Sequence, residues 1–275
     1  MAGASVAFPR GTCLPTQSPI FWAAEKDRYL RQLLLRDLET RWSRQQIVYF
    51  TRCDSPAQID QDDDRLMAEL LNDCHDGPID LHLETNGGYT DATEKIISML
   101  GPIRARLRVI IGRRAKSNGT LIALAADEIV MGPVSELGPI DPYITVGPNQ
   151  TIPAQFVLNA PDVDPILKQI ASFAMMQTQT LARTLLETGQ FSARIPQISQ
   201  VVEDLSTRNV YPSHGSVIDV SEADRLGLRI KALTADDDDW KWIWLLRCIY
   251  ETDAKRAGLV KIFEGRSRSN GVRQQ

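Results

Sequence analysis

The sequence predicts an α/β fold built on parallel strands, and three observations lead there. Between Ile79 and Met131, short β-branched runs alternate with helical stretches, giving strand–helix–strand–helix–strand within about fifty residues. That alternation marks parallel βαβ units. A tight-turn sequence, Asn86-Gly87-Gly88, stands between the first strand and the first helix of this series. Finally, 275 residues suffice for one large α/β domain or two small ones, with a core that needs no disulfide support.

The elements follow in order. Residues 1–22, rich in Pro, Thr, Ser and Gly, read as a disordered leader. Residues 24–43 carry Leu30, Leu33, Leu34 and Leu38 at helical spacing. The β-branched and aromatic run 46–50 is the expected first core strand. A helix over 62–71 follows, with acids in its first turn where the dipole favours them. Ile79–Glu84, Leu107–Ile111 and Glu128–Met131 are expected strands, while Thr90–Leu100 and 117–126 are expected helices. Their crossovers should be right-handed.

Beyond them, 133–153 is dense in Gly and Pro and reads as a long loop, followed by helical stretches over 163–188 and 193–207. Residues 211–215 form a turn, and 221–228 a capped short helix ending at a glycine. A last strand over 229–233 and a helix over 240–252 complete the series. The expected organisation is a leader (1–22), a single domain (23–235), a C-terminal helical extension (236–264) and a disordered tail (265–275). There is no internal repeat.

Composition narrows the class. A net charge of -4 argues against a dedicated nucleic-acid binder, which would be basic. Cys13, Cys53, Cys74 and Cys248 are scattered, with no CxxC and no short Cys/His spacing. They predict neither a metal site nor a disulfide framework, and fit a reducing, cytoplasmic setting. No stretch approaches the ~18–20 apolar residues of a transmembrane helix. The apolar run 240–246 follows four acids, Asp236 to Asp239, which an anionic membrane surface would repel. Trp240, Trp242 and Trp244 therefore suit a packed helix or a protein interface.

Two local features carry chemistry when taken together. Thr85-Asn86-Gly87-Gly88 lies at the end of one strand, and consecutive glycines let backbone amides turn outward toward a ligand. Ala115-Lys116-Ser117-Asn118-Gly119-Thr120 lies between the next strand and the next helix. A serine there is either an N-cap or a group flanked by free amides able to hold an oxyanion. Adjacent parallel strands bring both turns to one sheet edge, where α/β proteins bind ligands. The Gly88 and Asn118 amides would then flank Ser117, with Gly87 and Gly119 supporting the turns.

These segments resemble a known family. Leu83-Glu84-Thr85-Asn86-Gly87-Gly88, the run from Ala115 through Met131, and Leu137-Gly138-Pro139-Ile140-Asp141-Pro142 look like the serine dehydrogenase proteinase group. That group is related to signal peptide peptidase A and the Clp protease proteolytic subunit. The likeness extends with gaps from about Ile47 to Leu228. It implies a Clp protease/crotonase-like spiral of ββα units and a serine peptidase acting on peptides or proteins. It also implies homo-oligomerisation and no cofactor. By the same resemblance Ser117 is the nucleophile, and the Gly88 and Asn118 amides form the oxyanion hole. Two positions depart from the family's habit: Asn86 replaces its usual proline, and Asn118 its small residue after the serine.

A serine needs a neighbouring base. Clp-type relatives use a histidine some two dozen residues on, where this chain has Gly138-Pro139-Ile140-Asp141-Pro142. Signal peptide peptidase A relatives use a lysine about fifty residues on, and Lys168 stands at that distance among Ile166, Leu167 and Ile170. Burial there would lower its pKa. His214, in a Pro-Ser-His-Gly turn, is the rival: base, substrate contact or loop anchor. His82, inside a strand, reads as structural, and Lys116 as a neighbour that points elsewhere. Two further whole-protein readings stand beside the peptidase: a non-catalytic assembly module and a crotonase-type acyl-CoA enzyme. No GxxxxGK[ST] nucleotide loop is present.

Overall fold

Strands buried on both faces need helices above and below, and this chain supplies both layers. The computed structural model describes residues 18–148, 150–190 and 197–274. In chain order the elements are α1 (Pro19–Ala24), α2 (Lys26–Trp42), β1 (Gln45–Thr51), α3 (Asp63–Asn72), β2 (Ile79–Glu84), α4 (Thr90–Leu100), β3 (Leu107–Ile111), β4 (Arg114–Ala115), α5 (Asn118–Leu124), β5 (Glu128–Met131) and β6 (Glu136–Leu137). Then come β7 (Tyr143–Gly147), β8 (Gln150–Pro153), α6 (Ala154–Asn159), α7 (Pro165–Leu185), α8 (Ile198–Ser206), α9 (Val220–Arg225), β9 (Ile230–Ala232), α10 (Asp238–Ala257), β10 (Leu259–Gly265) and β11 (Ser269–Arg273).

The main sheet has the order β11-β10-β1-β2-β3-β5-β9. β1, β2, β3, β5 and β9 run parallel, while β10 and β11 are antiparallel additions at one edge. After each of its first four parallel strands the chain makes a short second extended contact. Ile59 bridges Gly88, Thr85 bridges Ala115, and β4 pairs with β6. A helix follows after the first three of these. This is a spiral of ββα units, as the resemblance implies.

The core divides along the sheet. Ile47, Tyr49, Leu81, Leu83, Val109 and Ile111 face α3, α4 and α5, whereas Val48, Phe50, Ile110 and Val130 face α2 and α10. Every residue of β2 is buried, which explains its unbroken rather than alternating pattern.

Several expectations are corrected. Residues 1–17 of the expected leader and 193–196 of an expected helix lie outside the described residues, but 19–24 are helical. The loop over 133–153 contains β6 and the antiparallel hairpin β7–β8. Only Ile144 and Pro153 are buried in that hairpin, too little apolar pattern to be seen locally. Within the tail expected to be disordered over 265–275, Ser269–Arg273 form a strand paired with β10. An edge strand bonded on one side needs no apolar alternation, so its polar sequence hid it. The extension over 236–264 is helical only as far as Ala257, because β10 then joins the sheet beside β1. Helix α2 buries Leu35 and Leu38 together with Arg31 and Gln32, while Leu30 is exposed. Arg31 takes that inward place because it pairs with Glu264 and Asp253. The tryptophan question resolves inward for Trp240, which packs so closely that a Cβ on Gly132 would lie 2.2 Å from its ring.

Candidate active site

The turn between β4 and α5 puts Ser117 in a conformation that side chains rarely adopt, φ 53° and ψ -121°. Its hydroxyl makes no capping bond to α5, so the bland N-cap role is not the one it plays. Close packing holds the turn. A Cβ on Gly87, itself at φ 103°, would lie 2.7 Å from Ser117 Cβ. A Cβ on Gly119 would lie 2.5 Å from Thr85 Cγ2. Both positions therefore require glycine.

Backbone pairing orients the amides. Ile59 N–H donates to Gly87 O at 2.8 Å, and Tyr89 N–H donates to Ile59 O at 2.9 Å. The C=O and N–H of one trans peptide point opposite ways, so Gly88 N–H is directed away from Ile59. Asn118 is the first residue of α5, where backbone amides lack intrahelical acceptors. Neither amide donates to another group among the described residues. The two unusual residues tie this region together. Asn118 Nδ2 donates to Gly88 O at 2.5 Å and to Thr90 Oγ1 at 3.3 Å. Asn86 Nδ2 donates to Cys53 O at 2.9 Å.

Ser117, Asn118, Gly87 and Gly88 open onto a cavity of about 590 Å³, and Asp141, Tyr143 and His214 line it too. His214 Nδ1 is 2.5 Å from Asp141 Oδ1, which leaves Nε2 as the ring atom free for other groups. Asp141 is 1% exposed, and its second oxygen accepts from Arg208 Nε at 3.0 Å. Arg208 also donates to Tyr143 Oη and to Pro212 O, and its guanidinium lies over the Tyr143 and Phe156 rings. Tyr143 meets the His214 ring edge-on, with centroids 4.8 Å apart. A buried carboxylate is thus paired with a cation and aimed at an imidazole, the arrangement that fixes a histidine's tautomer.

Lys168 is not brought to this cavity. It lies in the first turn of α7, ten residues before Thr178, which does line the cavity. At ~1.5 Å per residue that separation is about 15 Å along the helix. Of its expected apolar neighbours only Leu167 packs into a cluster, while Ile166 is 71% and Ile170 48% exposed. Lys116 does point away from Ser117, but it is 9% exposed and bonded to the turn after His214. His82 is structural: its Nε2 pairs with Gln46 Oε1 at 2.8 Å, and burial pushes its pKa down to about 4. The thiol of Cys53 is pushed by burial up to about 12, which makes it inert.

Sequence reasoning overlooked Asp141, Tyr143 and Arg208. Asp141 stands in the very segment noted for lacking a histidine. The available signal was an acid between Ile140 and Pro142 in an apolar run. Among the described residues no cluster suits a metal ion, and no helix is long and apolar enough to cross a membrane.

Residues 44–245 match the family model of ClpP-like SDH-type serine proteinases. Two uncharacterised proteins of Methanocaldococcus jannaschii are each 30% identical to this chain. The first aligns over 205 residues, 73% of this chain and 68% of that protein. The second aligns over 173 residues, 62% of this chain, which spans only 58% of that protein's length. A serine-to-alanine mutant of the 1510-N membrane-bound stomatin-specific protease covers 70% of this chain and 79% of its own, at 21% identity and TM-score 0.45. A lysine-to-alanine mutant of that protease in complex with a substrate peptide covers 83% and 85%, at 20% identity and TM-score 0.45. A mutant of ClpP1 from Listeria monocytogenes covers 74% and 98%, at 16% identity and TM-score 0.46.

Proposed function

The chain belongs to the ClpP-like SDH-type serine proteinases, and from that premise we propose that it hydrolyses peptide bonds through an acyl-enzyme on Ser117, with His214 as base and Asp141 as its orienting carboxylate. The observation that carries this reading is the Asp141–His214 bond at the wall of the cavity that Ser117 enters. With Nδ1–H donated to Asp141, Nε2 is the unprotonated nitrogen able to accept the Ser117 proton. Ser117 Oγ attacks the substrate carbonyl carbon, and the carbonyl oxygen takes the negative charge. The Gly88 and Asn118 N–H groups are the donors for that oxyanion. The proton on His214 then passes to the leaving amine. Water, deprotonated by the same ring, releases the acyl group.

Lys168 has no part in this scheme. Its helix serves another purpose: Ile166, Ile170, Phe173 and Met176 form an exposed apolar stripe along α7. We propose that stripe as a self-association surface of a homo-oligomer, because contiguous exposed apolar area marks interfaces. Light scattering that shows the same mass for wild type and an Ile170→Asp/Phe173→Asp variant would remove it.

Activity-based labelling with a fluorophosphonate, from about pH 6 to 10, tests the mechanism. Labelling should require both Ser117 and His214. Lys168→Ala should change the rate by less than about twofold, as for an ordinary surface substitution. Dependence on Lys168 but not His214 would reverse the base assignment. An unlabelled wild type would remove the serine itself.

A further inference from the structure

Lys116 precedes Ser117 in the chain, yet its side chain runs toward the segment that carries the imidazole. Its ammonium donates to Gly215 O and Ser216 O, each at 3.0 Å, and pairs with Glu136 Oε2 at 3.1 Å. Two hydrogen bonds and one ion pair thus hold the ammonium. The absence of a side chain at residue 138 gives the lysine room, since a Cβ there would lie 2.8 Å from Lys116 Cδ. Glu136 is itself ion-paired with Arg114, Nε to Oε1 3.0 Å. The cation is buried and paired with an acid. As an ammonium it has no lone pair with which to accept the Ser117 proton.

The two carbonyls belong to the residues immediately after His214, in a segment outside any helix or strand. That segment has a second tie to the site, the backbone pairing of Ile218 with Leu137. Ile218 is four residues beyond the histidine, whereas Gly215 is its neighbour. Lys116 is therefore the nearer tether, and it starts from the residue adjoining Ser117.

We infer that Lys116 is a positioning residue that fastens the turn bearing His214 to the turn bearing Ser117, setting the distance between the two. This rests on the reading of Ser117 as nucleophile and His214 as base. A displacement of about 1 Å in such a pair lowers rate on the order of a hundredfold.

The test is a double-mutant cycle read as the fluorophosphonate labelling rate of the full chain, with Lys116→Met, His214→Ala and the pair. Lys116→Met should lose about a hundredfold alone and less than about threefold more in the His214→Ala background, because its effect passes through the histidine. Lys116→Arg, which keeps a buried cationic donor but cannot act as a base, should restore at least part of the rate. Additive losses, or wild-type labelling by Lys116→Met, would overturn the inference. Should Lys116→Met fail to fold, Glu136→Gln takes its place: a loss that is non-additive with His214→Ala supports the inference, and an additive loss overturns it. His214→Ala that labels like wild type would instead overturn the underlying base assignment.

Discussion

Asp141 and His214 stand 73 residues apart in the chain and share a 2.5 Å contact in the fold. The carboxylate is buried and pinned on its far side by Arg208, so the imidazole has one place to go. Asp141→Asn keeps the shape but offers an amide that can stabilise the wrong tautomer. Labelling of Ser117 should fall by about ten-thousand-fold with the fold retained. A loss below tenfold, measured beside an unchanged melting temperature, would mean that His214 is not oriented by Asp141.

The glycines at the serine's side admit no substituent. Gly87→Ala places a methyl against Ser117 in a strained backbone region. We expect a destabilisation of about 1–3 kcal/mol and labelling reduced by more than about a hundredfold. Urea melts and labelling rates measure the two effects separately. A variant with normal labelling would show that the turn has slack the packing denies.

Acid stability should report on His82. Its pKa falls from 6.5 unfolded to about 4 folded, because burial disfavours the charged ring. The contribution is complete above pH 6.5 and is lost as pH falls toward 4, since the unfolded state binds the extra proton in that window. Its size is roughly 3 kcal/mol. Urea unfolding of wild type and His82→Met should show a stability gap that narrows across this range. Parallel curves would exclude His82 as the source.

Lys261, on β10, places its ammonium 2.8 Å from Asp63 and 2.6 Å from Asp60, beside the Ile59 contact that orients Gly88. Lys261→Met strands the Asp63 carboxylate, 1% exposed, without a cation. The expected cost is about 3–5 kcal/mol. A urea midpoint within error of wild type would show that Asp63 finds another partner.

What the sequence determined by itself was local. The alternation of apolar strands with helices, the glycine pair after β2 and the serine before α5 are short-range patterns, and each strand of the central series lies where its periodicity put it. Spacing alone also favoured Lys168, because separation along a chain was the only measure available. Tertiary structure decided the partners. His214, Asp141 and Arg208 sit in loops whose conformations carry no period, and they meet because the spiral and the β7–β8 hairpin close around one cavity. Lys116 and Asn118 were visible as neighbours of Ser117, but the direction of each side chain depends on acceptors supplied from elsewhere: Gly215 and Ser216 for one, Gly88 for the other. The polar strand β11 was hidden for the same reason, since an edge strand is specified by the sheet that receives it rather than by its own residues.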